Sequence, residues 1–191
     1  MSAPGAPEPA LLVFGLLLSP GVHLDGVLSA LAGRFGPLGA VAAERPFSHS
    51  SYYEREMGTG LRRAFVGTGR AVDPGELPRL KLEANALEER WAEAGRRRVN
   101  LDPGLLGLTQ LVLASLKPSG HRVYLGQGVY AEVEYVFKRG TFERLPWTYG
   151  DYAEADVIEF FNELREAHRV GRRGPRTEGS PGPRPTGQPD E

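Results

Sequence analysis

The chain has 191 residues, 40% of them hydrophobic and 25% charged, proportions that fit a folded globular protein and exclude wholesale disorder or a bundle of membrane-spanning helices. With 23 Lys and Arg against 24 Asp and Glu the formal net charge is -1, so global attraction to nucleic acid or anionic lipid is excluded and such contacts would need a local patch. The absence of Cys removes disulfides, thiolate catalysis and sulfur-ligated zinc, and it fits a reducing, cytoplasmic setting.

Residues 1–9 mix Ala, Pro and Gly without a Lys or Arg, unlike the basic start of an export signal, and are expected to be a disordered leader. Residues 11–18 form a continuous apolar run of strand length, the pattern of a central strand buried on both faces. A helix follows, with Leu24, Val27, Leu28, Leu31 and Phe35 at helical spacing and Gly36-Pro37 as its stop. Residues 38–47 read as a second strand ending near Pro46, and residues 62–68 as a third. Asp73-Pro74 opens a long helix whose apolar stripe is Leu77, Leu80, Ala84, Leu87 and Trp91, ended by Gly95. Residues 97–101 supply a fourth strand.

The order strand, helix, strand, strand, helix, strand predicts an α+β fold with a ferredoxin-like split βαβ core (βαββαβ), both helices on one face of the sheet. The run 108–116 has no decisive period and fits a strand or a helix. Period two over residues 130–137, with turns at 126–128 and 139–140, predicts a β-meander extension in which Ala131, Val133, Tyr135 and Phe137 share one face and Glu132 and Glu134 the other. A final helix carries Val157, Phe160, Phe161 and Leu164 inward. The expected organisation is one domain over residues 10–170 and a disordered Pro/Gly/Arg-rich tail over 171–191.

Polar clusters gather where strands end. Tyr52, Tyr53, Glu54 and Glu56 crowd into five residues, and helical phasing places Tyr53 and Glu56 on one face. Arg98, Asn100 and Asp102 alternate, so they share one face of a strand edge, where a guanidinium beside an amide and a carboxylate can recognise a phosphate, a carboxylate or a ribose. Lys81, Asn85 and Glu88 form a polar line on the long helix, and His121 adds a ring in the extension. The same residues also fit plain structural duties: tyrosines packing a core edge, a strand-to-turn junction at Asp102, a solvated helix face. Candidate ligand-binding residues are therefore Tyr52, Tyr53, Glu56, Lys81, Asn85, Arg98, Asn100, Asp102 and His121, with Glu56 and Asp102 as candidate catalytic carboxylates. The scattered His residues give no metal-site spacing. No GxxxxGK[ST] loop, dinucleotide fingerprint, GxSxG elbow or HExxH occurs.

At YYEREMG (residues 52–58), Lys81 with NALE (85–88), RVNLDPG (98–104), HRVYLG (121–126), GVYAEV (128–133) and WTY (147–149), the chain resembles a family of uncharacterised bacterial proteins catalogued only as a domain of unknown function. The resemblance spans Leu11 to about His168. Members of that family carry GTP-binding labels, which the missing P-loop does not support here. Where the family tends to a Phe-Thr-Asp-like string before the tyrosines, this chain has SHSS at residues 48–51. The resemblance implies an identity and no chemistry.

Three functions follow as expectations. The first is a polar cleft binding a small anionic or nucleotide-like ligand. The second is a hydrolase or transferase using Glu56 or Asp102 as a general base or a Mg²⁺ ligand. The third is a protein- or RNA-interaction module, against which stand the neutral charge and the lack of an RNP signature.

Overall fold

The computed structural model describes Ala3 and residues 5–172; Met1, Ser2 and Pro4 of the expected leader, and residues 173–191 of the expected tail, lie outside the described residues. In chain order the elements are β1 (Ala10–Leu18), α1 (Leu24–Phe35), β2 (Leu38–Val41), β3 (Arg45–Pro46), α2 (Glu54–Met57), β4 (Arg62–Val72), α3 (Leu77–Glu88), β5 (Val99–Leu106), β6 (Gln110–Ser115), β7 (Val123–Gly126), β8 (Val129–Lys138), β9 (Thr141–Arg144) and α4 (Ala155–Arg172). The fold is α+β. An open sheet runs β2-β4-β1-β5-β6-β8-β7, with β3 on β4 and β9 on β8, and each of these pairings is antiparallel.

β1 is buried along all nine residues because helices cover both faces of the sheet. Leu12, Phe14, Leu16 and Leu18 pack with Val27, Leu31 and Phe35 of α1 and with Leu77, Leu80 and Ala84 of α3. Leu11 and Val13 face the other way, onto Val157, Phe161 and Leu164 of α4. Leu17, near the end of β1, packs on Met57 and Leu61. The caps agree with the sequence: Gly36 ends α1 at φ 100°, and the Asp73 side chain accepts from the Gly75 N–H at 2.7 Å just before α3. Among the described residues no helix is long and apolar enough to cross a membrane.

Several expectations change. The helix expected to run as far as Gly95 is α-helical only to Glu88 and is followed by a 3-10 turn over Glu89–Trp91. The strand expected over residues 38–47 is two short pieces, β2 and β3, because its register against β4 is irregular between Leu38 and Val41 and Pro46 has no N–H to continue pairing. The strand expected over 97–101 begins at Val99 and runs straight through Pro103-Gly104, so Asp102 caps no turn. The ambiguous run near 108–116 contains β6. α4 continues through Gly171 and Arg172, which composition had assigned to the tail. In β8 the expected alternation fails: a register shift opposite Leu111 and Val112 turns both Glu132 and Glu134 into the interior, 2% and 0% exposed.

Candidate functional site

β5 pairs with β1 from Val99 to Leu106 but meets β6 only at Gly104, Leu105 and Leu106. The sheet therefore splits along the first half of β5. Leu101 turns its backbone N–H and C=O into that gap, and α3 satisfies both: Glu88 Oε1 accepts from the N–H at 2.7 Å and Lys81 Nζ donates to the carbonyl at 3.0 Å. Pro103, two residues on, faces the same gap, where its missing N–H breaks no ladder bond. At Gly104 the strands close up again, since a Cβ there would meet Leu113 Cδ2 at 2.6 Å. The polar line Lys81, Asn85 and Glu88 lies against this open strand edge rather than in solvent, with Lys81 4% and Glu88 1% exposed.

Above the split lies a cavity of about 630 Å³. Asn100 and Asp102 form its floor, because register with β1 puts them on the same face as Leu17 and Gly15. Arg63 of β4, opposite Leu17, extends that floor across the sheet. Lys81, Asn85 and Glu88 make one wall, and Ser115 and Glu132 of β6 and β8 another. Loops supply the rim: Tyr52 and Tyr53 before α2, Lys117 and Arg122 between β6 and β7, Tyr149 to Tyr152 before α4. Gly15 lets Tyr152 descend onto the sheet, for its absent Cβ would collide with the Tyr152 hydroxyl.

The charged groups are interlocked. Lys81 Nζ lies 3.0 Å from Asp102 Oδ1, and Asn100 Nδ2 donates to Asp102 Oδ2 at 2.7 Å. Arg97 donates to Asn100 Oδ1 at 2.8 Å, grips Glu56 with two bonds of 2.7 and 2.6 Å, and reaches Glu88 at 3.4 Å. Arg63 pairs with Asp151, both deeply buried. Arg122 donates to Glu132 at 3.0 Å and to the Tyr149 hydroxyl at 2.6 Å, and Tyr149 in turn donates to Glu132 at 3.1 Å.

These environments separate the carboxyls into two classes. Burial alone would push Asp102 up, but the Lys81 ammonium and the Arg63 guanidinium, with hydrogen bonds from Lys81 and Asn100, hold it below its ordinary value. The hydrogen bonds from Arg97 hold Glu56 down likewise. Glu88 goes the other way: desolvation outweighs Lys81, Leu101 N–H and Arg97 and pushes it up to about 7. Desolvation pushes Glu134, just behind the cavity, up to about 8.

Of the residues named from sequence, Tyr52, Tyr53, Lys81, Asn85, Asn100 and Asp102 line this one cavity. Glu56 stands behind Arg97 and His121 behind Glu132, which its Nε2 meets at 2.9 Å while its ring stacks on Trp147. Arg98 is elsewhere: it precedes the strand and binds Glu93 and the Pro20 carbonyl. Its neighbour Arg97 reaches the cavity instead. Sequence reasoning also passed over Arg63, Glu88 as a site residue, Lys117, Glu132, Tyr149 and Asp151. Arg63 carried a usable signal, an arginine in phase with inward Phe65 on an apolar strand. Glu56 and Asp102 are tied to different cations, Arg97 and Lys81. Among the described residues no three His, Asp or Glu side chains gather as metal ligands.

The family model for the domain of unknown function DUF4416 matches residues 8–168. The chain belongs to that family. The match takes in β1 and most of α4, and hence every wall of the cavity. No curated protein and no solved structure matches the chain.

Proposed function

We propose that the cavity binds a small anionic or nucleotide-like ligand. The observation that carries this is the convergence of four ion pairs, Arg63 with Asp151, Lys81 with Asp102, Arg97 with Glu56 and Arg122 with Glu132, around a single space. A fold gains little from buried pairs, which apolar side chains of equal volume match or exceed, so their clustering suits recognition better than stability. Guanidinium forks and an ammonium suit oxyanions, while Asn100 and the tyrosine hydroxyls can bond a polar ring or sugar. Asn85 Oδ1, Arg122 Nε and the Tyr152 hydroxyl, all on lining residues, are buried without a protein partner. The size suits a metabolite.

The test is a thermal-shift screen of the full chain against nucleotides, phosphorylated metabolites and divalent ions, since a ligand of the native state raises Tm by mass action. The expected result is a concentration-dependent shift, lost in Arg97→Met and retained in Arg98→Ala. Silence across the panel overturns the reading.

Glu88 favours a second reading, in which the ligand undergoes proton transfer. It lines the cavity with a carboxyl raised to about 7, where a general acid or base works best, whereas Glu56 and Asp102 are held ionised by their cations. Glu88→Gln would then retain binding and lose turnover of the ligand identified. We also read β1, α1, β2, β4, α3 and β5 as a ferredoxin-like split βαβ unit; its support is the order β2-β4-β1-β5 with α1 and α3 packed on one face.

A further inference from the structure

Five cationic side chains line the cavity, and carboxylates hold four of them. Lys117 is the fifth: no ion pair joins it to a carboxylate among the described residues, and Glu56, which feels its charge, is already held by Arg97. Its ammonium lies over the ring of Tyr52, 3.6 Å from the centroid, and 5.6 Å from that of Tyr53. Lys117 belongs to the loop between β6 and β7 and Tyr52 to the loop before α2, so this contact spans the rim. Both side chains meet water, Tyr52 being 61% exposed. A cation over an exposed ring is held weakly compared with one hydrogen-bonded to an anion.

The backbone of Lys117 is anchored while its side chain is free to change partners. The Lys117 N–H donates to Ser115 Oγ at 3.2 Å, its carbonyl accepts from Arg122 Nη1 at 2.8 Å, and Pro118 stiffens the next position. The ammonium can therefore swing from the ring into the cavity without any loop movement. Arg122, which grips the same loop, brings a guanidinium to that side, held by Glu132. The exposed lining carboxylate Glu89 lies on the α3 side, so the lone cation is not neutralised from its own loop.

Resting on the ligand-binding reading above, we infer that Lys117 is the group on which the ligand's oxyanion docks, a phosphate or a carboxylate, and that Tyr52 is its resting partner in the free protein. Anion binding then exchanges a cation–π contact for a charge-assisted hydrogen bond. Lys117 also holds the Tyr52 phenol below its ordinary pKa, by hydrogen bond and by charge, so the exchange carries its own reporter: Tyr52 titrates at higher pH once the anion has drawn the ammonium away.

The experiment uses the full chain with inorganic phosphate, pyrophosphate and citrate, read by calorimetry and by tyrosinate absorbance, the Tyr52 signal being assigned by its loss in Tyr52→Phe. Expected are binding of at least one of these anions to the wild type, affinity about tenfold weaker in Lys117→Met, and an upward move of the Tyr52 titration when the anion is bound. Preference for pyrophosphate or for citrate separates the two oxyanion sources. If Lys117→Met binds as the wild type does, or the Tyr52 titration stays put at saturation, this inference falls and the ligand-binding reading stands. If the wild type binds none of these anions and nothing in the metabolite screen, both fall.

Discussion

Glu88 illustrates how one buried carboxyl links the cavity to pH. Its native value, about 7, lies above the ordinary 4.5, so between those two points the folded state holds the proton more tightly than the unfolded chain. Its contribution to stability is therefore full below pH 4.5 and is lost as pH rises toward 7. Glu134 has the same sign and extends the fall to about pH 8. Urea unfolding of Glu88→Gln across pH 4.5 to 8 should show a shallower decline, by up to about 3 kcal/mol over the window, leaving the part that belongs to Glu134. An unchanged slope would mean that Glu88 is ionised throughout. Gly15 is the second residue-scale case. It sits between Phe65 and Asp102 across three strands, directly beneath the Tyr152 hydroxyl. Gly15→Ala is expected to cost about 1–3 kcal/mol in chemical denaturation through overpacking, with no change in the surface charge.

At the scale of elements, α3 does for β5 what a neighbouring strand would otherwise do. Lys81 and Glu88 take the two backbone groups of Leu101 that β6 leaves unpaired, and the same lysine neutralises Asp102. Lys81→Met strips a partner from a buried carboxylate and from a backbone carbonyl at once, and should destabilise the protein by about 3–5 kcal/mol. Arg98→Ala, outside the cavity, should stay within about 0.5 kcal/mol. A denaturant series on the two variants compares them directly. The register shift in β8 is the other decisive local feature, because it turns Glu132 and Glu134 inward together and gives Arg122, His121 and Tyr149 something to bind.

Across the whole molecule, burial and pairing grade outward from β1. That strand is paired on both edges and covered on both faces, whereas β7 is a four-residue edge strand with Val123 66% and Tyr124 59% exposed. Hydrogen exchange followed by mass spectrometry should find the β1 amides slowest and those of β7 among the fastest of the strand amides. Uniform protection across the sheet would contradict this grading. The rim of the cavity is drawn from loops between distant elements, while its floor lies on the protected centre, an arrangement that pairs a rigid base with adaptable walls.

Much of the architecture was legible in the sequence because it rests on periodicity. The apolar run of β1, the stripes of α1 and α4, the first turns of the α3 stripe and the turn glycines each report a local pattern that packing then uses, though α3 stops at Glu88 rather than at Gly95. The polar line on α3 and the tyrosines at 52 and 53 were visible as clusters too. What tertiary structure alone decided is which way such clusters face. Arg97 and Arg98 are neighbours in the chain, and only the pairing of Val99 with Leu18 sets where the strand begins and hence which arginine turns inward. Likewise the gap that Lys81 and Glu88 fill exists because β6 leaves β5 below Gly104, a non-local event with no trace in the helix itself. Lys117, Arg122, Tyr149 and Asp151 join the site from loops remote in sequence, and no local period can announce a meeting that depends on the order of strands in a sheet.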